Sequence, residues 1–184
     1  MHPLSKTLRR DLNDLTDIAR NDLRVLFRQF DTAEAARQGL LDVLPRLVTI
    51  YGAAAATLAA DYFDDLRDAS EAKGRFRAIP AEPETGGLDA LARWAVGPMF
   101  QAAPDPLAAL SLAAGGAQRS IANAARLTVV QSSLADPRAQ GWTRVGHGEC
   151  DWCKQYLDGE VHYVEGYDFQ AHNNCGCTAE TVYG

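Results

Sequence analysis

Residues 4–30 read LSKTLRRDLNDLTDIARNDLRVLFRQF, and the spacing of their apolar positions decides the fold class. Leu4, Leu8, Leu12, Leu15, Ile18, Leu23, Leu26 and Phe30 recur every three to five residues, the period of one helix face. Arg9, Arg10, Arg20, Arg24 and Arg28 surround that stripe and read as a solvated face. Asp31-Thr32-Ala33-Glu34 then reads as a second helix start, with Asp31 as cap and Glu34 three residues on. This helix is expected from about Thr32 to about Ser70. Pro45 should kink or break it, because proline lacks an N–H and clashes with the preceding turn. Tyr51-Gly52 and the four alanines after it leave room for another backbone to come close.

Further along, residues 73–87 carry Gly74, Pro80, Pro83, Gly86 and Gly87, which mark a loop. The alternation Arg75-Phe76-Arg77-Ala78-Ile79 adds one short expected strand. Leu88, Leu91, Trp94 and Ala95 resume a helical period. A last helix is expected from about Leu107 to about Leu134, with Gly115-Gly116 able to split it and Asp136-Pro137 ending it. From Gly141 the helical period stops. The fold class is therefore mainly α: a long-helix body over residues 1–140, followed by a small metal-stapled α+β module over residues 141–184.

The whole chain has 184 residues, 47% of them hydrophobic, and a formal charge of −6. That is enough for a core and sets aside wholesale disorder and a large nucleic-acid-coating surface. The longest uncharged stretch, Leu47 to Ala60, is 14 residues, short of the roughly 20 that a bilayer span needs. The N-terminus has no apolar core of a secretory signal. The expectation is a soluble protein made in a cytosol. Residues 141–184 hold two basic and seven acidic side chains, so most of the net charge sits in the tail.

All four cysteines lie in that tail: Cys150, Cys153, Cys175 and Cys177. In a reducing compartment such clustering points to metal before disulfides. Cys150-Asp-Trp-Cys153 supplies two thiolates from one tight turn, and His172-Asn-Asn-Cys175 repeats the spacing. Together they make the soft, four-donor set of a structural zinc site. Cys177 is the alternative fourth ligand. If the chain is extended there, Cys175 and Cys177 point to one side and an all-thiolate site leaves out His172. The first pairing is favoured, because three thiolates and an imidazole put less negative charge in an acidic tail. A hairpin is expected between the knuckles, with Leu157-Asp158-Gly159 as a turn, Glu160 to Val164 as a strand and His162 structural on it. Trp142, Trp152 and Tyr156 are read as packing around the metal core.

Signals for enzymes are weak. There is no phosphate-binding Gly-rich loop, no nucleophile elbow and no His-Glu-x-x-His pair. A site with four or five protein donors closes rather than leaving the open position of catalytic zinc, so no enzyme is expected. A zinc-dependent hydrolase or nuclease using Glu149, and a soluble zinc-binding adaptor, are the alternatives.

The tail resembles the C-terminal motif of the Mu F-like minor head proteins of tailed bacteriophages. The motif residues here are Cys150, Cys153, Leu157, Gly159, Phe169, His172, Cys175 and Cys177. The run Leu47 to Arg67, the segment Gly141 to Val145, and Trp94-Ala95 are similar to the actinobacteriophage version of the body. The resemblance implies a minor capsid, or head morphogenesis, protein inside the capsid of the virion, associated with the portal. Its implied partners are the portal protein, the major capsid protein or a scaffold protein, and alanine-rich helices allow self-association. No membrane partner is implied. Gly176 stands where relatives carry a basic residue, so direct DNA contact is not expected.

Overall fold

The computed structural model describes residues 1–146, 151–157, 159–162 and 169–184. Four helices precede a two-stranded sheet. They are α1 (Pro3–Phe27), α2 (Ala33–Ala69), α3 (Leu88–Ala95) and α4 (Pro106–Ala135), with a short 3-10 turn at Gly97–Phe100. Strand β1 (Ala139–Val145) follows, then the single-turn α5 (Asp151–Lys154) and strand β2 (Thr178–Tyr183). The chain is mainly helical, as its periodicity predicts.

Helix α1 buries Leu8, Leu12, Ala19, Leu23 and Phe27. Ile18 and Leu26, which the sequence pattern places on the apolar stripe, are exposed instead. Small and polar residues, Ser5, Arg9 and Thr16, take the buried phase in their place, because α1 faces both α2 and a polar segment of the tail. The cap of α2 is Thr32 rather than Asp31. Its extended backbone lets the hydroxyl accept from the Ala35 N–H at 3.1 Å.

Pro45 does not break α2, which runs unbroken for 37 residues. Leu40, Leu44, Leu47 and Val48 are buried on either side of it. Packing of both flanking turns outweighs the one backbone hydrogen bond that proline omits. By length and composition α2 could cross a bilayer. Its apolar side chains line the core between α1 and α4.

Glycines set how near the elements come. A Cβ on Gly52 would lie 2.8 Å from Pro83, and one on Gly116 would lie 2.4 Å from the Leu91 side chain. Gly115-Gly116 thus leaves α4 whole and seats α3 on it. The expected strand at residues 75–79 is absent. Among the described residues that segment has no strand beside it, so its chain turns to helix side chains: Ala78 N–H donates to Asp64 at 3.0 Å and, just beyond, Ala81 N–H to Thr128 at 2.9 Å.

Strands β1 and β2 pair antiparallel, with Trp142 opposite Thr181 and Arg144 opposite Ala179. Of the expected hairpin, Asp158, Tyr163 and Val164 lie outside the described residues, and Glu160 to His162 make a single bridge rather than a strand. Its His162 bridges to Trp142 through two backbone hydrogen bonds of 2.7 and 3.1 Å. A side chain on Gly141 would strike the His162 carbonyl, and its φ of +129° suits glycine alone.

One buried ion pair closes the far end of the helices. Arg67 Nε donates to Asp136 at 2.8 Å, with the two side chains 4% and 0% exposed. The same guanidinium donates to the carbonyls of Ala72, Lys73 and Gly74, and Tyr183 donates to Asp136 at 3.2 Å. A single cation thus fixes α2, the start of the loop, the end of α4 and β2. Removing one partner strands a buried charge. Arg67→Met is therefore expected to lower the unfolding free energy in urea by about 3–5 kcal/mol. Loss of the exposed Arg10–Asp11 pair should change it by less than about 1 kcal/mol.

Candidate metal centre

Cysteine 153 sits on α5, where the hydrogen bond from Tyr156 N–H to its carbonyl, 3.0 Å, closes a tight turn. His172 and Cys175 are the ends of a second turn, closed by Cys175 N–H to His172 O at 3.1 Å. Asn174 takes the left-handed conformation there, φ +61°, which asparagine tolerates. The two turns bring the Cys153, His172 and Cys175 donor atoms within 4.8 Å of one another.

The distances within this group suit a metal. Cys153 Sγ lies 3.7 Å from Cys175 Sγ and 3.1 Å from His172 Nε2. Zinc–sulfur arms of about 2.3 Å on a tetrahedron put neighbouring sulfurs about 3.8 Å apart. His172 Nδ1 is 2.6 Å from the Asn173 carbonyl. With the ring proton on Nδ1, the Nε2 lone pair faces the sulfurs, an outer-shell arrangement typical of ligating histidines. Cys153 and Cys175 are buried and His172 is half-buried. The cluster can hold a metal ion.

Of the residues singled out by spacing, Cys153, His172 and Cys175 come together. Cys150 lies outside the described residues. The Cys177 thiol is buried and hydrogen-bonds with Cys175, yet it is not in the mutually close group. That hydrogen bond, helped by Arg126, holds the Cys175 thiol well below its ordinary range. The same bond, with burial, pushes the Cys177 thiol up.

Aromatic rings wall the group. Trp152 meets His172 edge-on at 5.2 Å and Tyr156 at 4.6 Å. Arg144 lies 3.9 Å over the Phe169 ring and donates to the Gln170 carbonyl.

Three residues of the helical body were not picked out as site residues. Arg126 on α4 is buried, and it donates through Nη2 to the Cys175 carbonyl at 2.6 Å and through Nε to the Cys177 carbonyl at 3.0 Å. Gln118, two turns earlier, donates to Cys175 O at 3.3 Å. Arg9 on α1 donates to Gly176 O at 2.8 Å. Burial lowers the Arg126 guanidinium to about 10, against the attraction of the Cys175 sulfur. It remains a cation at neutral pH. The signal was its phase: Arg126 falls on the same face of α4 as the buried Ala122, Val129 and Val130.

Removal of either turn's sulfur should abolish binding. Cys153→Ala and Cys175→Ala are expected to lose metal retention through gel filtration under reducing conditions. Cys177→Ala is expected to keep it, as measured by elemental analysis of the eluted protein.

No curated protein and no solved structure matches this chain. The family model described as VG15 protein matches residues 4–184, from the first turn of α1 to the last residue. That span includes both the helical body and every described residue of the Cys/His cluster, and the chain belongs to the VG15 protein family, a phage family.

Proposed function

We propose that this chain is a structural protein of the phage head: a minor capsid, or head morphogenesis, protein inside the capsid at or near the portal. The observation that carries the reading is the phage family match, which takes the helical body and the Cys/His tail together. The likeness of the tail to the Mu F-like pattern agrees with it. In this reading the ion is zinc and its role is structural. Cys150, Cys153, His172 and Cys175 are its ligands, with Cys177 the alternative.

The role of the ion follows from what it would join. Cys153 comes from the segment after β1, and His172 and Cys175 from the turn before β2. Zinc bound to both turns would close a loop of about twenty residues, too short to hold a core of its own, and metal binding would become folding free energy for that loop. The chain's own residues would give the partner a fixed surface. Helices α1 and α2 offer the exposed Ile18, Val25 and Ile50, and the turn after α3 offers Phe100. The partner would be the portal, the major capsid protein or a scaffold.

Mass spectrometry of phage heads purified away from soluble protein tests the reading. The chain is expected in the particle at a few copies, with zinc in proportion. Its absence from heads while it is present in the lysate supernatant would overturn the assignment.

A further inference from the structure

We infer that Arg126, together with Gln118 and Arg9, positions the metal centre from the helical body. The three side chains take the carbonyls of three successive residues, Cys175, Gly176 and Cys177. This rests on the metal reading above and goes beyond it, because none of the three is a ligand and two helices become part of the site.

The geometry selects a forked cation at position 126. Its guanidinium bridges two carbonyls two residues apart, which fixes the peptide planes that follow Cys175 and Cys177, while Arg9 holds the one between them, and so the backbone that carries Cys175 Sγ is set. Its third contact is Asn123 Oδ1 at 2.7 Å, so among the described residues none of its three hydrogen-bond acceptors is a carboxylate. A buried cation without a carboxylate is costly unless another anion lies near. Among the described residues the group that attracts it is the sulfur cluster, and a thiolate-rich metal cluster supplies that negative charge permanently. Arg9 adds the link to α1. Its guanidinium passes 3.7 Å from where a Cβ on Gly176 would stand. Metal affinity and the seating of α1 are then linked, and linkage is reciprocal.

Cobalt titration of the full reduced chain against a competing chelator tests this. The variants are Arg126→Met, Arg126→Lys and Arg9→Gln, and circular dichroism monitors folding. The wild type is expected to bind one Co2+ with tetrahedral visible bands. Arg126→Met is expected to keep the band positions and bind ten- to a hundredfold more weakly. Arg126→Lys should recover part of the loss, since it keeps the charge without the fork. Arg9→Gln changes one contact at the rim of the core and keeps the fold even if Arg126→Met does not. It should bind at least threefold more weakly, and its Tm should rise less on metal addition. Folded variants that bind within twofold of wild type, with the same metal-induced rise in Tm, would overturn the positioning role and leave the metal reading standing. A wild type that binds no cobalt or zinc would overturn both.

Discussion

Three consecutive carbonyls, from Cys175 to Cys177, are held by side chains of α1 and α4, and the cysteine-bearing segment has its shape because of it. Arg126 makes two of the bonds from within an otherwise small-residue helix. Backbone carbonyls that leave regular structure must find donors or water. Here the donors are charged or amide groups anchored in the helical core, so the segment cannot drift without breaking charge-assisted bonds. Trp142, Cys153, Phe169, Cys175, Cys177 and Ala179 lie in the same buried cluster as the helix interior. The apolar area of the tail is thus shared with the helices, and the Cys/His group rests on a rigid floor.

Alanine and glycine make that floor possible. Ala113, Ala114, Ala117, Ala122, Ala124 and Ala125 line α4, and Ala55, Ala56 and Ala59 line α2. Small side chains let the two helices approach closely, and the loop crosses the same place through Pro83 over Gly52. Gly115 does the same for the tail. A Cβ there would come 3.2 Å from Asn173, the residue between His172 and the left-handed Asn174. The turn that carries two of the three donors is therefore seated on a helix surface cleared for it. Bulk at Gly115 would press on the metal turn from below, whereas bulk at Gly116 would displace α3.

The helices were legible because each carries its own periodicity, and periodicity is local. The pairs Cys153 and His172-x2-Cys175 were legible because donor spacing is local too. What escaped depends on contacts across the chain. Pro45 and Gly115-Gly116 read as breaks, since proline and glycine destabilise an isolated helix, yet tertiary packing overrides both. Residues 75–79 alternate like a strand, but a strand needs a neighbour and none is offered among the described residues. Strand β2 was missed although Thr181 and Val182 are β-branched, because its partner β1 lies more than thirty residues away. Arg126 was passed over because a charge in an alanine-rich helix reads as solvated. Only its phase among buried positions marks it as internal.

Arg67 and Arg126 are both internal ties in this chain, with different counter-charges. Arg67 meets a carboxylate, Asp136, and gathers the loop, the end of α4 and β2. Arg126 meets the carbonyls of Cys175 and Cys177, is attracted by the Cys175 sulfur, and gathers the chain just before β2. Arg67 reaches the last residue of β2, Tyr183, through Asp136, and Arg126 holds Cys177, the residue before its first, so β2 is anchored at each end by a buried guanidinium from a helix. A two-stranded sheet has little stability of its own. Of the described acidic residues of the tail, Asp151 and Glu160 are exposed, while Glu180 accepts from His2 N–H and the Ser5 hydroxyl on α1. A tail separated from the helices would lose its floor and the bonds that Arg9, Gln118 and Arg126 make to its carbonyls.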